Sequence, residues 1–276
     1  LAAMLAAMVE RGCAGAVLEF SDEALRRRQA EGLPLDAAVV TDIGAPPAMT
    51  HEEAVARRAE VARLFRQVVP GGAAVVNADD PHASLIGAVN LEADHVAYSL
   101  EGNAQAQVTA RVERVDRHGA RFVLRGFDRE AAVTLRPVGV SSVSHALAAA
   151  AVAWARGVRL DAVVAGLESV GELPGRLEPV GDDPGQLPDV RVDEASHPAG
   201  LQEALRDLRA AVAGRGRVHC LIGAEGPRPT PAAETLARRR ALAAVAEALA
   251  DRVTLTTDNP RTEDPNSILD DLLAGF

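Results

Sequence analysis

The feature that most constrains this chain is a repeating alternation: apolar runs of strand length are separated by longer stretches with apolar residues at helical spacing. Ala14–Phe20 (AGAVLEF), Ala37–Ile43 (AAVVTDI) and Ala73–Val76 are such runs, and His95–Ser99 is a further strand. Strands this apolar are buried on both faces, which requires a parallel sheet covered by helices. The intervening helices are expected at Leu1–Arg11, stopped by Gly12, at Asp22–Ala30, and at His51–Val68. The last carries Val55, Ala59, Ala62 and Phe65 on its apolar face and is followed by Pro70-Gly71-Gly72. The pattern then changes: Val108–Val115, Arg121–Leu124 and Ala131–Leu135 alternate like solvent-facing strands and predict an antiparallel meander. Helices follow at Ser144–Ala155 and Leu160–Val170.

Pro174-Gly175 and the Gly/Asp/Pro-rich stretch Gly181–Pro188 read as a linker, placing a domain boundary near 178, between domains 1–178 and 179–276. The alternation restarts with strand Val190–Asp193, helix Ala199–Ala213, strand Val218–Gly223, helix Ala232–Leu249, strand Val253–Thr256 and helix Pro265–Leu273. The expected fold class is α/β: two doubly wound domains, the first with the meander, the second Rossmann-like. Ligand sites are then expected at the carboxyl ends of the strands.

Bulk properties remove several function classes. A length of 276 residues suits two domains. A net charge of −10 and only 3% aromatic residues argue against a nucleic-acid partner, which needs a basic face and stacking rings. The most apolar run, Ala146–Ala155, is about half the roughly 20 residues a spanning helix needs, so no membrane insertion is expected. No secretory signal is read at the start of the chain. Cys13 and Cys220 lie far apart in apolar contexts and are expected to be buried and reduced, as suits a cytoplasmic protein. The first residue is not Met, which suggests a piece of something longer; a monomer is expected. The sequence contains no lysine, so no mechanism that needs a lysine amine runs on these residues.

The informative side chains sit where strands end. Glu19 and Ser21 close the first run, Asp42 the second, and Asn77-Ala78-Asp79-Asp80 the third. Carboxylates gathered there hold Mg²⁺, which takes oxygen ligands; the alternative is that Asp79-Asp80-Pro81 only caps a helix. In the second half Asp193, His197-Pro198, Gly223–Gly226 and Asp258–Arg261 follow strands. Carboxylates and an arginine in one loop bind a zwitterion, carboxylate to ammonium and guanidinium to carboxylate. The alternative is a surface pair of Arg261 with Glu263 or Asp264.

Taken in order, the segments NADDP, ALAAAA, LPGRLE, VDxAxxP and LTTDNPRTEDP resemble the Mur ligases that build the bacterial peptidoglycan stem peptide. Within them the chain is most similar to the meso-diaminopimelate-adding UDP-N-acetylmuramoyl-tripeptide synthetases, of which Asp-Asn-Pro-Arg is the motif. The resemblance runs from Met8 to the end. It implies ATP-dependent ligation: ATP phosphorylates the carboxylate of UDP-N-acetylmuramoyl-L-Ala-D-Glu, and the amine of the diamino acid attacks the acyl phosphate, releasing phosphate, with Mg²⁺ and ATP as cofactors. It further implies Glu19 as a Mg²⁺ ligand, Asn77, Asp79, Arg176 and Asp193 on the nucleotide side, and Ser21 and His51 on the UDP-substrate side. Arg239, Asp258, Asn259 and Arg261 would hold the amino acid.

The departures from that pattern are equally consistent. The family's phosphate loop would lie upstream of Leu1 and its Gly-Lys-Gly-His-Glu segment beyond Phe276. Asp-His-Leu-Asp is replaced by Pro46-Pro47-Ala48-Met49, the carbamylated lysine by Val61, and two adenine-side asparagines by Ser142 and His145. A Ser-His pair becomes Asp22-Glu23, an arginine becomes Gln29, and a Tyr and a His become Glu194 and Ser196. Each such loss is typically worth roughly 10²- to 10³-fold in rate. Three readings therefore stand: a fragment or degenerate member of the ligase, a catalytically silent Mur-like binding or scaffold protein, and another ligase of the superfamily such as a folylpolyglutamate synthase.

Overall fold

The computed structural model describes residues 1–43, 50–84, 89–90, 92–181, 188–226 and 232–276. The expected segment Pro46-Pro47-Ala48-Met49 and most of the linker Gly181–Pro188 lie outside the described residues. The chain divides into two units, Leu1–Thr109 with Ala148–Val158, and Ala110–Leu147 with Arg159–Phe276.

The first unit holds α1 (Ala2–Glu10), α2 (Asp22–Arg26), β1 (Leu35–Val40), α3 (His51–Phe65), β2 (Val68–Asn77) and β3 (Asp94–Ser99). It also contains the start of β4 (Val108–Asp116) and the second half of α4 (Val140–Ala155). β1, β2 and β3 pair in parallel, with Ala38 opposite Ala74 and Val75 opposite Val96, and β4 joins β3 in parallel at Tyr98 and Val108. α3 starts at a capping box: the Thr50 hydroxyl accepts from the Glu53 amide and Glu53 accepts from the Thr50 amide at 2.7 Å. That backbone bond holds the Glu53 carboxyl below the usual carboxylate range.

The buried stripe of α3 is Ala54, Val61 and Phe65, whereas Val55 and Ala59 are exposed. The apolar face is therefore turned from the one expected, because Val61 and Phe65 pack into a core with Ala38, Ile43, Val68 and Ala74. Phe65 is fully buried there, a contribution of about 1.5–3 kcal/mol.

The expected first strand, Ala14–Phe20, does not form. Residues 13–21 have no regular structure and Val17 is wholly exposed. A strand exists only as part of a hydrogen-bonded ladder, and among the described residues no backbone bond of that kind reaches this run. Cys13, at its start, is consequently exposed rather than buried, while Cys220 is buried as expected.

The second unit continues β4 into β5 (Gly119–Gly126) and β6 (Arg129–Leu135). β5 and β6 pair antiparallel from Ala120–Leu135 to Gly126–Arg129, with Phe127 and Asp128 both at positive φ in the turn, the geometry a two-residue hairpin needs. The first half of α4 and α5 (Leu160–Ser169) follow. Then come β7 (Glu178–Pro179), β8 (Arg191–Val192), α6 (Pro198–Val212), β9 (His219–Ile222), α7 (Ala232–Leu249), β10 (Arg252–Leu255) and α8 (Pro265–Leu273).

β9 and β10 pair in parallel. Leu201, Leu205, Cys220, Ile222, Leu242, Ala246, Ile268 and Leu272 form the core that α6, α7 and α8 share with them. The run expected as parallel strand Val190–Asp193 instead supplies only β8, antiparallel to β7. Arg191 explains the difference: its guanidinium donates to the carbonyls of Leu177 and Arg117, tying β8 to those segments.

One buried carboxylate organises the rest of this unit. Asp207 on α6 accepts from the amides of Val140 (2.8 Å) and Ser141 and from the Ser141 hydroxyl, capping α4 across the fold. Gly139 precedes it at φ +108, where any Cβ would strike that carboxylate. Among the described residues no helix is long and apolar enough to cross a membrane.

Burial raises the Cys220 thiol pKa. In the native protein a disulfide reagent is therefore expected to label Cys13 quickly and Cys220 only on unfolding. Two fast thiol equivalents in a spectrophotometric titration would contradict this packing.

Candidate functional site

The first unit's strand edge is closed by its own side chains. Asn77, ending β2, donates from Nδ2 to the Thr41 carbonyl at 3.2 Å and accepts from the Asp79 amide through Oδ1. Asp79 accepts from the Ser99 hydroxyl and from the amides of Leu100 (2.7 Å) and Glu101 (3.2 Å). Asp80 accepts from the amides of Ile43 and His82. Asn77 and Asp79 are thus brought together, with their polar atoms turned to neighbouring backbone.

The other residues expected on this side stand apart. Glu19 is exposed on the irregular segment. The Ser21 hydroxyl caps α2, accepting from Ala24 at 3.2 Å. His51 is the exposed first residue of α3. Asp22 pairs with Arg57 at 3.1 Å, and Arg57 also donates to the Asp42 carbonyl. Val61, expected where the resemblance has a lysine, is in the core. Among the described residues no three His, Cys, Asp or Glu side chains gather to hold a metal ion. With Asp79 and Asp80 committed to backbone amides and Glu19 isolated, the donor set here does not fit Mg²⁺. A cleft of about 360 Å³ lies at the opposite, amino-terminal end of β1 and β2, lined by Leu25, Arg28, Arg63 and Gln67 among others.

In the second unit Arg176 and Asp193 meet on the β7–β8 pair. Asp193 accepts from the amides of Leu177 (3.0 Å) and Ala195 (2.9 Å), and Arg176 pairs with Glu194 at 2.5 Å. Both partners of that ion pair are more than half exposed, so it contributes only about 0–1 kcal/mol. Ser142, expected where the resemblance has an asparagine, donates to the Val138 carbonyl at the start of its helix.

The best-built cluster lies where β9 and β10 end. Because these strands are parallel, the loops that follow them, 223–226 and 256–264, leave the same edge. The Gly226 amide donates to the Asn259 carbonyl at 2.7 Å, and a Cβ at Gly226 would collide with the Pro260 carbonyl oxygen, so the contact requires glycine. Asn259 Oδ1 accepts from the Arg261 amide at 3.2 Å, and Arg261 adopts φ +54. Its guanidinium, partly exposed, lies 3.5 Å from Glu225.

Arg239 on α7 is only 2% exposed. It donates to both oxygens of Glu263 (2.8 and 2.6 Å), to Asp271 (2.7 Å) and to the Glu225 carbonyl (3.0 Å). Its hydrogen bond with Glu263 holds that carboxyl below the usual range and raises the Arg239 pKa. Sequence reasoning had offered Glu263 or Asp264 as partner of Arg261. The structure gives Glu263 to Arg239, uses Asp264 to cap α8 through the Asn266 amide, and sets Glu225 against Arg261. Asp271 carries no mark in its sequence neighbourhood, and Glu225 stands out only as part of the strand end Gly223–Gly226; it is the packing of the helices and loops that brings them to Arg239 and Arg261.

Residues 1–153 match the family model described as the Mur ligase middle domain, and residues 175–275 match that of the Mur ligase glutamate ligase domain. This chain belongs to the Mur ligase family. A relative from Gloeobacter violaceus, UDP-N-acetylmuramoyl-L-alanyl-D-glutamate--2,6-diaminopimelate ligase, is 35% identical over 99% of this chain and 53% of its own length. A solved structure with that same ligase name is 28% identical with a TM-score of 0.63, covering 97% of this chain and 53% of the other. MurF from Acinetobacter baumannii shares the fold, with a TM-score of 0.67 at 20% identity over 88% of this chain and 49% of its own. The chain thus spans about half the length of the Mur ligases it matches.

Two outcomes test the loop pair in this Mur ligase chain. Gly226→Ala is expected to destabilise it by about 1–3 kcal/mol through overpacking against Pro260, read from denaturant midpoints. Glu263 has a depressed folded pKa, so its contribution is fully present above the ordinary value of 4.5 and is lost as pH falls through the lower folded value. Stability should therefore drop on acidification below that value, and Glu263→Gln should flatten this part of the pH profile.

Proposed function

We propose that this chain contributes amino-acid recognition to an ATP-dependent ligase of peptidoglycan precursor synthesis, one that adds meso-diaminopimelate to UDP-N-acetylmuramoyl-L-Ala-D-Glu. The observation that carries the reading is the Asp258–Arg261 loop: the partly exposed Arg261 stands beside Glu225, and Asn259 accepts from its amide in the same loop at one strand edge. A diamino acid presents carboxylates and ammonium groups a short distance apart. Arg261 suits the former, because a guanidinium fork matches a carboxylate in two hydrogen bonds. Asp258 and Glu225 suit the latter. The ligase names of the relatives support the same substrate class.

The ligase reading places a domain boundary near 178, a nucleotide side at Asn77, Asp79, Arg176 and Asp193, and a UDP-substrate side at Ser21 and His51. ATP and Mg²⁺ are its cofactors, the cytoplasm its compartment, and a monomer its working form. The silent alternative, a Mur-like binding protein, is favoured by the other half of the structure. There Val61 is in the core and Asp79 and Asp80 bond backbone amides; in the second unit Arg176 faces Glu194.

Calorimetric titration separates the two. Binding of meso-diaminopimelate, weakened about 10- to 100-fold by Arg261→Ala, is expected under both, whereas Mg-ATP binding is expected only under the ligase reading. Failure of meso-diaminopimelate to bind the intact protein would remove the recognition role.

A further inference from the structure

A loop that grips a zwitterion with a few charged groups must hold them in place before the ligand arrives, since ordering them on binding subtracts from affinity. The segment 256–264 has no regular structure, and its internal bonds join near neighbours: Asn259 to the Arg261 amide, and the Glu263 amide to the Pro260 carbonyl. Something outside it must fix its position.

Arg239 is placed to do so. Its two terminal nitrogens reach three elements at once. They bond the Glu263 carboxylate, two residues past Arg261; the Asp271 carboxylate on α8; and the backbone carbonyl of Glu225 in the facing loop. Four donors of one guanidinium are thereby engaged, the Nε–H has no partner, and the side chain is all but excluded from solvent. An arginine so engaged has no free face for a solute carboxylate. The arginine that remains partly exposed is Arg261.

We propose that Arg239 is a positioning residue: it clamps the Asp258–Arg261 loop to the Glu225 loop and so sets Arg261 opposite Glu225, without itself touching the amino acid. This rests on reading the loop as the amino-acid pocket. Lysine cannot replace it, because an ammonium is a point donor and cannot span a carboxylate in two bonds while also reaching a second carboxylate and a carbonyl.

The test uses the intact protein with Arg239→Lys, which keeps the buried charge, and Glu263→Gln, which loosens the clamp from the other side. Hydrogen exchange by mass spectrometry follows 256–264, with β2 as internal reference, and meso-diaminopimelate is titrated calorimetrically. Both variants are expected to speed exchange in 256–264 by roughly tenfold or more with β2 unchanged, and to weaken meso-diaminopimelate roughly 10- to 100-fold. Unchanged loop exchange in both variants overturns the proposal, whether or not the ligand binds. Faster exchange with unchanged affinity overturns it as well. Lost affinity with an undisturbed loop would return Arg239 to direct contact with the ligand. If the wild-type protein takes up no meso-diaminopimelate, the recognition reading fails, and the exchange data alone decide whether Arg239 holds the loop.

Discussion

Backbone amides left unpaired where strands and helices end have to find an acceptor, and in this chain aspartates supply it. Asp79 serves the amides of Leu100 and Glu101, Asp80 that of Ile43, Asp193 those of Leu177 and Ala195, and Asp207 those of Val140 and Ser141. An unsatisfied buried amide costs about 1–3 kcal/mol, so these bonds outweigh most surface ion pairs. The same bonds take the carboxylates out of the inventory available to a cation. These aspartates therefore serve the fold whatever ligand their strand ends take.

Most of the architecture was legible from periodicity. The meander between Val108 and Leu135, the α6–β9–α7–β10–α8 series and the parallel β1–β2–β3 core all follow from burial patterns that a short window detects. What failed was whatever depends on a partner outside the window. Ala14–Phe20 has strand composition but no ladder, β8 turns to Leu177 and Arg117 instead of a parallel neighbour, and α3 buries Val61 rather than Val55. Among site residues the motif Asp258-Asn259-Pro260-Arg261 was readable because its members are contiguous. The meeting of Glu225, Glu263 and Asp271 at Arg239 was not, since two helices and two loops had to fold before they came together.

The two units of this Mur ligase chain are held together differently. In the second unit the loop pair is held by the buried guanidinium of Arg239 and its two partly exposed carboxylate partners, so removing one partner leaves that charge less well paired. In the first unit Val61 lies in the core, and Arg57 forms an ion pair with Asp22. Core valine and surface ion pair are both solutions that favour folding, and neither offers a proton or a metal ligand to a reaction.

Arg261 carries a consequence of its own. A non-glycine residue at φ +54 is strained by about 1–2 kcal/mol relative to glycine or asparagine in the same turn. Selection for thermal robustness alone would therefore drift this position toward glycine or asparagine, gaining stability while discarding the guanidinium. A library sorted only for resistance to heat would enrich the variants least able to hold a carboxylate. Arg28, Leu177 and Ala213 share this backbone strain, but only at Arg261 does it fall on a residue of the proposed pocket, so there stability and the proposed recognition pull in opposite directions.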